Sequence, residues 1–475
     1  MRQVEISQVS NEMAFAALIG EGRTQRLQED AQATVAALRG ARVINCNATA
    51  TGGGVAEMLQ VLLATVNALG VETHWYVLDG EPEFFAITKR IHNVLHGDPG
   101  DGGPLGDAER AVFERVLASN LNDIASELRA GDVFLAHDPQ TAGLIPGLKE
   151  LGVKVIWRSH IGKDEDDEQT AKGWAFLEPY ITQADAAIFT RSSYVPPFEL
   201  DMPIHIIAPS IDPFAPKNVV LDEDAVRAGV VRAGLVTGDQ DSATATFTRR
   251  NGTEGIVRAH TGLVLDDEPI PADAQVVLQV SRWDALKDMP GVMEGFLRVL
   301  DQLPDNAHLA LVGPAVEGVS DDPEGQQVLA DCRAMRAGLP EEQRRRVHLV
   351  ALPMDDIDEN AHMVNCIQRF ATVVVQKSLV EGFGLTVTEA MWKNRPLIAS
   401  AVGGIQDQIS HQVDGLLLKD PHDLDTYGRY LVELMSNPAL AKELGDNAHD
   451  KAFREFVGDR HLHQYGILLG QLHSM

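Results

Sequence analysis

The sequence predicts an α/β protein of two facing Rossmann-like domains with an interdomain cleft, and three observations predict it. Short β-branched runs alternate with helical runs over most of the chain. The alternation breaks at SIDPFAPKN (210–218) and starts afresh at QVVLQVSRWD (275–284). In both series, loops bearing glycines or cations follow the strands, at the edge where open parallel sheets take their ligands.

The first series begins with ARVINCNA (41–48), followed by the helical GGGVAEMLQVLLATVNALG (52–70) and ETHWYVL (72–78). Helices are expected near 84–96 and 107–129, and DVFLAHD (132–138), VKVIWRSH (153–160), AAIFT (186–190) and HIIAPS (205–210) read as short buried strands. Such βαβ alternation implies a parallel sheet covered on both faces. Residues 221–272 are poor in strong strands and rich in Asp, Ala, Thr and Gly, as in GDQDSATATFTRRNGTEG (238–255). This reads as a linker with an inserted arm. The second series contains QVVLQVSRWD, HLALVG (308–313), RVHLVAL (346–352), TVVVQKS (372–378), PLIAS (396–400) and DGLLL (414–418), and a final helix is expected over roughly 426–454. The boundaries expected are 1–215, 216–272 for the linker and arm, 273–455, and a tail of 456–475.

At 475 residues the chain suits two or three domains, and 44% hydrophobic with 23% charged residues is ordinary for a soluble globular protein. A net charge of −29 argues against nucleic-acid or anionic-membrane partners, which need a basic surface. An anionic substrate must then be met by a few local cations. Cys46, Cys332 and Cys366 lie far apart without metal-like spacing and read as reduced, buried thiols. No apolar run approaches the roughly 20 residues of a membrane span. The opening MRQVEISQVSNEMAF is too acidic and too broken for a signal peptide, so the expected location is the cytoplasm.

The richest stretch is EGFGLTVTEAMWKNRP (381–396), which follows the strand-like ATVVVQKS (371–378). Strand, glycine turn and helix point backbone N–H groups above the sheet and favour an anion there. With a helix starting near Leu385, Glu381 and Glu389 flank that anion site as hydroxyl-binding groups would. A phosphate held between two polyhydroxylated arms is a sugar nucleotide or a sugar phosphate. SRWDALKDMPG (281–291) carries Arg282 and Lys287 on a strand-to-helix loop, where two cations could hold a diphosphate and stabilise its departure. Plain surface charge is the competing reading.

Weaker signals complete the inventory. ATATGGGVAEML (48–59) lets backbone approach a ligand at Gly53 and Gly54, or is an ordinary tight turn. AVGGIQDQI (401–409) is a second turn of that kind, expected to shape the same cleft. His160, in WRSHIGKDEDDE (157–168), sits at a strand end, with Arg158 two residues earlier on the same side. Asp164 and Asp166 form a D-x-D, but a solvated acidic loop is the better reading, as it is for Asp355, Asp356 and Asp358. In EFFAITKRIHNVLHGD (83–98), Phe84, Ile87, Ile91, Val94 and Leu95 make one helical stripe while Lys89, His92 and His96 make another. That second face is a solvent face, or an acceptor site if the helix borders the cleft.

Together these residues resemble the retaining glycosyltransferases of family 4, with the glycosyltransferase B architecture. EGFGLTVTEAMWK carries the family's Glu-x7-Glu spacing and SRWDALKD its Arg/Lys loop. NATATGGGVAEML, EFFAITKRIHNVLHG, VIWRSHI and APSIDPFAPKN look like the trehalose glycosyl-transferring synthases, over roughly 40–215 and 273–420. The resemblance implies glucosyl transfer, with retention, from a nucleoside diphosphate glucose to glucose, without cofactor or metal. It also implies an acceptor-side first domain, a nucleotide-sugar-binding second domain, and a tail that packs back on the first. Carried over, Arg282 and Lys287 grip the diphosphate, helped by backbone across Gly382, Phe383, Gly384, Leu385 and Thr386. Glu389 binds the ribose, Glu381 the glucose hydroxyls, His160 the reacting sugar, and Gly53 and Gly54 close on the phosphates. Lys89, His92 and Arg158 are the acceptor candidates. The expected partners are small sugars and a sugar nucleotide, with neither nucleic acid nor membrane, and a homodimer is compatible with this. A phosphorylase using glucose 1-phosphate is the nearest rival, against which the Gly-Leu-Thr at 384–386 favours the synthase, and a family 4 glycosyltransferase with another acceptor is the second.

Overall fold

The computed structural model describes residues 1–6, 12–50, 54–266, 268–316 and 323–472. It divides into two units, Met1–Ser210 with Val457–Met475, and Ile211–Phe456.

The first unit runs β1 (Arg2–Val4), α1 (Glu12–Ile19), α2 (Glu21–Leu38), β2 (Val43–Asn47), α3 (Gly54–Ala68), β3 (Thr73–Val77), α4 (Pro82–Leu95) and α5 (Asp107–Ile124). It continues through β4 (Val133–His137), α6 (Ile145–Glu150), β5 (Lys154–Ser159), α7 (Glu168–Ile181), β6 (Ala186–Phe189) and β7 (Ile204–Ile206). The last helix of the chain, α17 (Gly458–Leu472), also belongs to this unit. The sheet order is β1-β3-β2-β4-β5-β6-β7, parallel except for β1 against β3. Strand periodicity sorts the core into two layers. Ile44, Cys46, Phe134, Val155 and Trp157 pack with Phe84, Phe113 and Phe176 of α4, α5 and α7. Val43, Leu135, Ile156 and Ile188 lie on the opposite face, against Leu468, Leu469 and Leu472 of α17. The terminal helix thus supplies the cover that a sheet buried on both faces requires.

The second unit runs α8 (Glu223–Arg232), β8 (Thr246–Thr248), β9 (Glu254–Ile256), β10 (Gln275–Val280), α9 (Met289–Arg298), β11 (Ala307–Pro314), α10 (Pro323–Ala337), α11 (Glu341–Arg344) and β12 (Val347–Leu352). Then come α12 (Ile357–Phe370), β13 (Val373–Gln376), α13 (Leu385–Trp392), β14 (Leu397–Ser400), α14 (Ile405–Gln408), β15 (Leu416–Leu418), α15 (Leu424–Ser436) and α16 (Pro438–Glu455). Its sheet is wholly parallel in the order β12-β11-β10-β13-β14-β15. Numbered from β10, this is the 3-2-1-4-5-6 order of the dinucleotide-binding fold, with its switch point between β10 and β13. The single helix expected over 426–454 is two helices. Asn437 caps the second by accepting from Leu440 N at 3.2 Å, and Pro438 opens it.

The stretch expected as a linker with an inserted arm is folded into the second unit. Val226, Val230 and Val231 of α8 are buried, and this helix packs along α12. The β8–β9 hairpin is anchored by charge. Arg249 bonds Asp356 at 2.8 and 2.7 Å, Arg250 pairs with Asp358 at 2.7 Å, and Arg258 reaches Asp355 at 2.7 Å and the buried Glu359 at 2.6 Å. The aspartates read as a solvated loop are therefore paired, and the Arg249 hydrogen bonds hold the Asp356 carboxyl down to about 2. Sequence spacing hides such pairs because their partners lie 97 to 108 residues apart.

Replacing Arg258 by alanine strips a partner from Asp355 and from buried Glu359. This should cost about 1–3 kcal/mol and lower the melting midpoint by roughly 2–10 °C. An unchanged midpoint in a thermal melt would mean that this network does not hold the arm.

Candidate active site

In the second unit the two loops singled out from the sequence leave β10 and β13, the strands on either side of the switch point. Gln279, fully buried near the end of β10, fastens them together. Its carbonyl accepts from Lys377 N at 3.0 Å, and its amide donates to the Lys287 carbonyl at 2.7 Å. Leu379 N donates to the Leu286 carbonyl at 2.8 Å. The Lys287 ammonium thereby meets Glu381 Oε2 at 2.7 Å, and Ser378 Oγ donates to the same oxygen at 3.2 Å. Trp283 anchors the first loop from beneath, its indole donating to the Pro314 carbonyl at 2.9 Å. Arg282 is 63% exposed, with Asp284 at 3.0 Å beside its guanidinium.

The glycine turn above α13 has the geometry expected of an anion cradle. Gly384 takes φ 82°, and a Cβ there would lie 3.0 Å from Ile405 and 3.2 Å from the Glu381 side chain. The N–H groups of Leu385 and Thr386, in the first turn of α13, have no acceptor among the described residues. The GGI turn at 403–405 shapes this loop directly. Gly404 N donates to the Gly382 carbonyl at 2.9 Å, and the Gln408 amide donates to the Phe383 carbonyl at 2.5 Å. Thr386 Oγ1 donates to the Gln376 side-chain carbonyl at 3.0 Å. Glu389 is buried within α13, one oxygen 3.3 Å from the Lys217 ammonium.

In the first unit the candidate groups gather at the ends of β2, β4 and β5, around that sheet's own switch point between β2 and β4. Arg158, the last but one residue of β5, is fully buried. Its guanidinium donates to the Tyr465 hydroxyl, to His461 Nε2 at 3.3 Å, to the Ile207 carbonyl at 3.3 Å and to His160 Nδ1 at 3.4 Å. Because an arginine can only donate, it fixes every ring beyond it. His160 Nδ1 must accept, so its proton is on Nε2, which donates to His137 Nδ1 at 3.0 Å. His137 in turn carries its proton on Nε2 and donates to Asn45 Oδ1 at 3.0 Å. His461, accepting at Nε2, donates from Nδ1 to Ser210 Oγ at 3.2 Å. All three imidazoles are neutral in this arrangement. Burial, reinforced by the Arg158 charge, pushes His137 down to about 3 and His160 and His461 well below the ordinary histidine value. Burial pushes Asp138, which accepts from His160 N at 2.7 Å, up to about 7.

Several expectations change here. Arg158, an acceptor candidate, is interior, its guanidinium held by α17, the Ile207 carbonyl and His160. Both His160 ring nitrogens are engaged within the protein. Lys89 is exposed on α4, while half-buried His92 lies edge-on to His96 with ring centroids 4.8 Å apart. Gly53 lies outside the described residues, and Gly54 is exposed at the first position of α3. Asp164 is paired with Arg191, and no group of three or more potential metal ligands occurs among the described residues. The three cysteines are free and buried. Sequence reading missed Gln279, His137, His461, Tyr465 and Lys217. Of these, Gln279, an amide inside the apolar run of β10, carried a visible signal.

The comparisons with known proteins agree with this geometry. Residues 45–196 match the family described as "Trehalose synthase, N-terminal domain", and residues 265–451 match "Glycosyl transferases group 1". A trehalose-phosphate synthase structure from Burkholderia vietnamiensis superposes with a TM-score of 0.66 at 15% identity, covering 92% of this chain and 99% of that one. The fold is thus that of the glycosyltransferase B class, built on two Rossmann-like domains. Trehalose synthase of Pyrococcus horikoshii is 31% identical over 459 residues, 96% of this chain and 95% of the relative. That of Rubrobacter xylanophilus is 32% identical over 92% of each chain. The chain belongs to the trehalose synthase family. A trehalose phosphorylase of Pleurotus pulmonarius is more distant, 28% identical over 85% of this chain and 53% of the relative. No helix among the described residues is long and apolar enough to cross a membrane.

The neutral histidines fix a direction of pH dependence. Their folded values lie below the unfolded one, so each contributes stability that is complete above about pH 6.5 and lost as pH falls toward the folded value. Asp138 is raised and opposes them, binding a proton in the folded state that its unfolded form releases above about pH 4. Three histidines outweigh one carboxyl, so stability should fall between pH 7 and 5. Replacing His137 by glutamine should flatten that fall in thermal melts, and an identical acid slope in the variant would overturn the neutral assignment.

Proposed function

We propose that the protein is a retaining glucosyltransferase that makes trehalose, reversibly, from a nucleoside diphosphate glucose and glucose. The observation that carries this reading is the near full-length likeness to relatives named trehalose synthase. The site chemistry supports it.

In this reading Lys287 and Arg282 meet the diphosphate, and the N–H groups of Gly384, Leu385 and Thr386 add donors at the helix N-terminus. Gly53 and Gly54 close on the phosphates. Glu389 takes the ribose hydroxyls, Glu381 those of the transferred glucose, and His160 lies beside the reacting sugar. Lys89 and His92 remain acceptor candidates. The bond from the anomeric carbon to the diphosphate breaks as the acceptor hydroxyl attacks from the same face. The leaving phosphate oxygen takes the acceptor's proton. A double displacement is set aside, because Glu389 is taken up with the ribose and only Glu381 remains near the anomeric carbon. The cations instead stabilise the charge that develops on the leaving group. The substrates are small sugars, the chemistry runs without a metal, and the proposed location is the cytoplasm, with a homodimer as the proposed assembly.

The test is a product assay of the purified protein with glucose, a panel of nucleoside diphosphate glucoses and a phosphate arm. Trehalose formed only in the nucleotide arms is expected, whereas phosphate-dependent release of glucose 1-phosphate from trehalose would favour a phosphorylase. Replacing Arg282 or Lys287 by alanine should lower kcat at least about tenfold if each contributes over about 1.4 kcal/mol to the transition state. Near-normal turnover in both variants would sink the assignment. Activity should also persist undiminished in EDTA.

A further inference from the structure

A buried carboxylate on α13 keeps one oxygen without a protein partner. Glu389 is 4% exposed, Lys217 approaches its Oε1 at 3.3 Å, and its Oε2 has no hydrogen-bond partner among the described residues. Buried polar atoms are almost always satisfied, so an orphaned oxygen beside a held one is a place for a ligand donor. The held oxygen depends on a segment far away in sequence. Asn365 donates to the Pro216 and Val219 carbonyls at 3.1 and 2.8 Å. Arg369 donates to the Asn218 and Val219 carbonyls at 3.2 Å each, and the Trp392 indole to that of Asn218 at 2.9 Å. These bonds clamp residues 216–219 onto α12 and α13 and deliver Lys217 to Glu389.

The other nearby cation does not do this. Lys393 donates to the Glu389 backbone carbonyl and to Asn218 Oδ1, each at 3.2 Å, and not to the carboxylate. Burial pushes its ammonium down to about 7, against the pull of Glu389. A buried carboxylate needs a paired charge, and Lys217 is the one placed to supply it. Held in this way, Glu389 can only accept, which suits a hydroxyl and repels a phosphate.

We infer that Lys217 is a positioning residue that holds Glu389 as a hydroxyl acceptor, so that the pair selects the ribose of a nucleoside diphosphate. This inference rests on reading the second unit as a nucleotide-sugar site, and its test separates the two. The wild-type protein and the variants K217M, K217R and E389Q are titrated calorimetrically with ADP, UDP and GDP. The tightest of these is then compared with its 2′,3′-dideoxy form and with inorganic diphosphate. Wild type should prefer the ribose form by about tenfold or more, as expected for a hydrogen bond to a charged group. The preference should vanish in K217M and E389Q and persist in K217R, while inorganic diphosphate binds all four alike. A preference retained in K217M, or a parallel loss of inorganic diphosphate binding there, overturns the inference. So does wild-type protein that binds the ribose and dideoxy forms equally, which leaves the nucleotide site standing. Wild-type protein that binds none of the three nucleotides sinks both readings. Thermal melts accompany the titrations, and K217Q replaces K217M, with the same outcomes, if the latter does not fold.

Discussion

The geometry of the second unit hangs on one buried amide. β10 and β13 are neighbours in space but nearly a hundred residues apart in sequence, and the loops that leave them carry the two charges that must meet. Gln279 joins these loops through one accepted and one donated hydrogen bond, to backbone on either side. An apolar residue of similar size would fill the volume yet leave the Lys377 N–H and the Lys287 carbonyl unpaired in the interior. The Lys287–Glu381 pair is therefore a consequence of strand topology. The switch point places two strand ends side by side, and Gln279 turns that proximity into a fixed distance.

The first unit solves the same problem with a buried cation. Arg158 lies on the face of β5 that α17 covers, so its charge is lodged between the sheet and the last helix of the chain. A guanidinium there demands acceptors and finds them in Tyr465, His461, the Ile207 carbonyl and His160. Since it cannot accept, it imposes one direction on the hydrogen bonds that run from it through His160 and His137 to Asn45. The terminal helix thus reaches the strand ends chemically as well as by packing. Its apolar residues close the sheet while His461 and Tyr465 accept from Arg158, the residue that sets the state of His160.

Both loops of the second unit, and the alternation that makes a parallel sheet, were legible because each is written in consecutive residues. Glycine after a β-branched run, with carboxylates eight positions apart, says strand, turn and helix without reference to the rest of the chain. The 3.6-residue stripe of Phe84, Ile87, Ile91 and Val94 likewise names its own buried face, and those residues are buried. Pairings between distant segments were not legible. Asp356 looked solvated because Arg249 stands 107 residues away, and Arg158 looked like a ligand contact because Tyr465 stands 307 residues away. Period-two reasoning put Arg158 on the same side as His160, and the two meet at 3.4 Å. It could not say that a helix from the other end of the chain already covers that side.

The distribution of charge then explains how so acidic a chain can serve an anionic substrate. The chain carries a net charge of −29, and in the second unit four cations near the proposed site are each kept on a carboxylate: Lys287 on Glu381, Lys217 on Glu389, Lys377 on Asp288 and Arg282 on Asp284. In the proposed reaction a diphosphate must share Lys287 with Glu381, and so it gains less than it would from an unpaired ammonium. In that reaction the sugar hydroxyls offset the loss, because Glu381 and Glu389 are carboxylates to which a hydroxyl can donate. A bare phosphate meets the same cations without offering donors to the carboxylates beside them. In the proposed reaction, selectivity for a sugar nucleotide over free phosphate would follow from this local pairing of opposite charges and not from the overall charge.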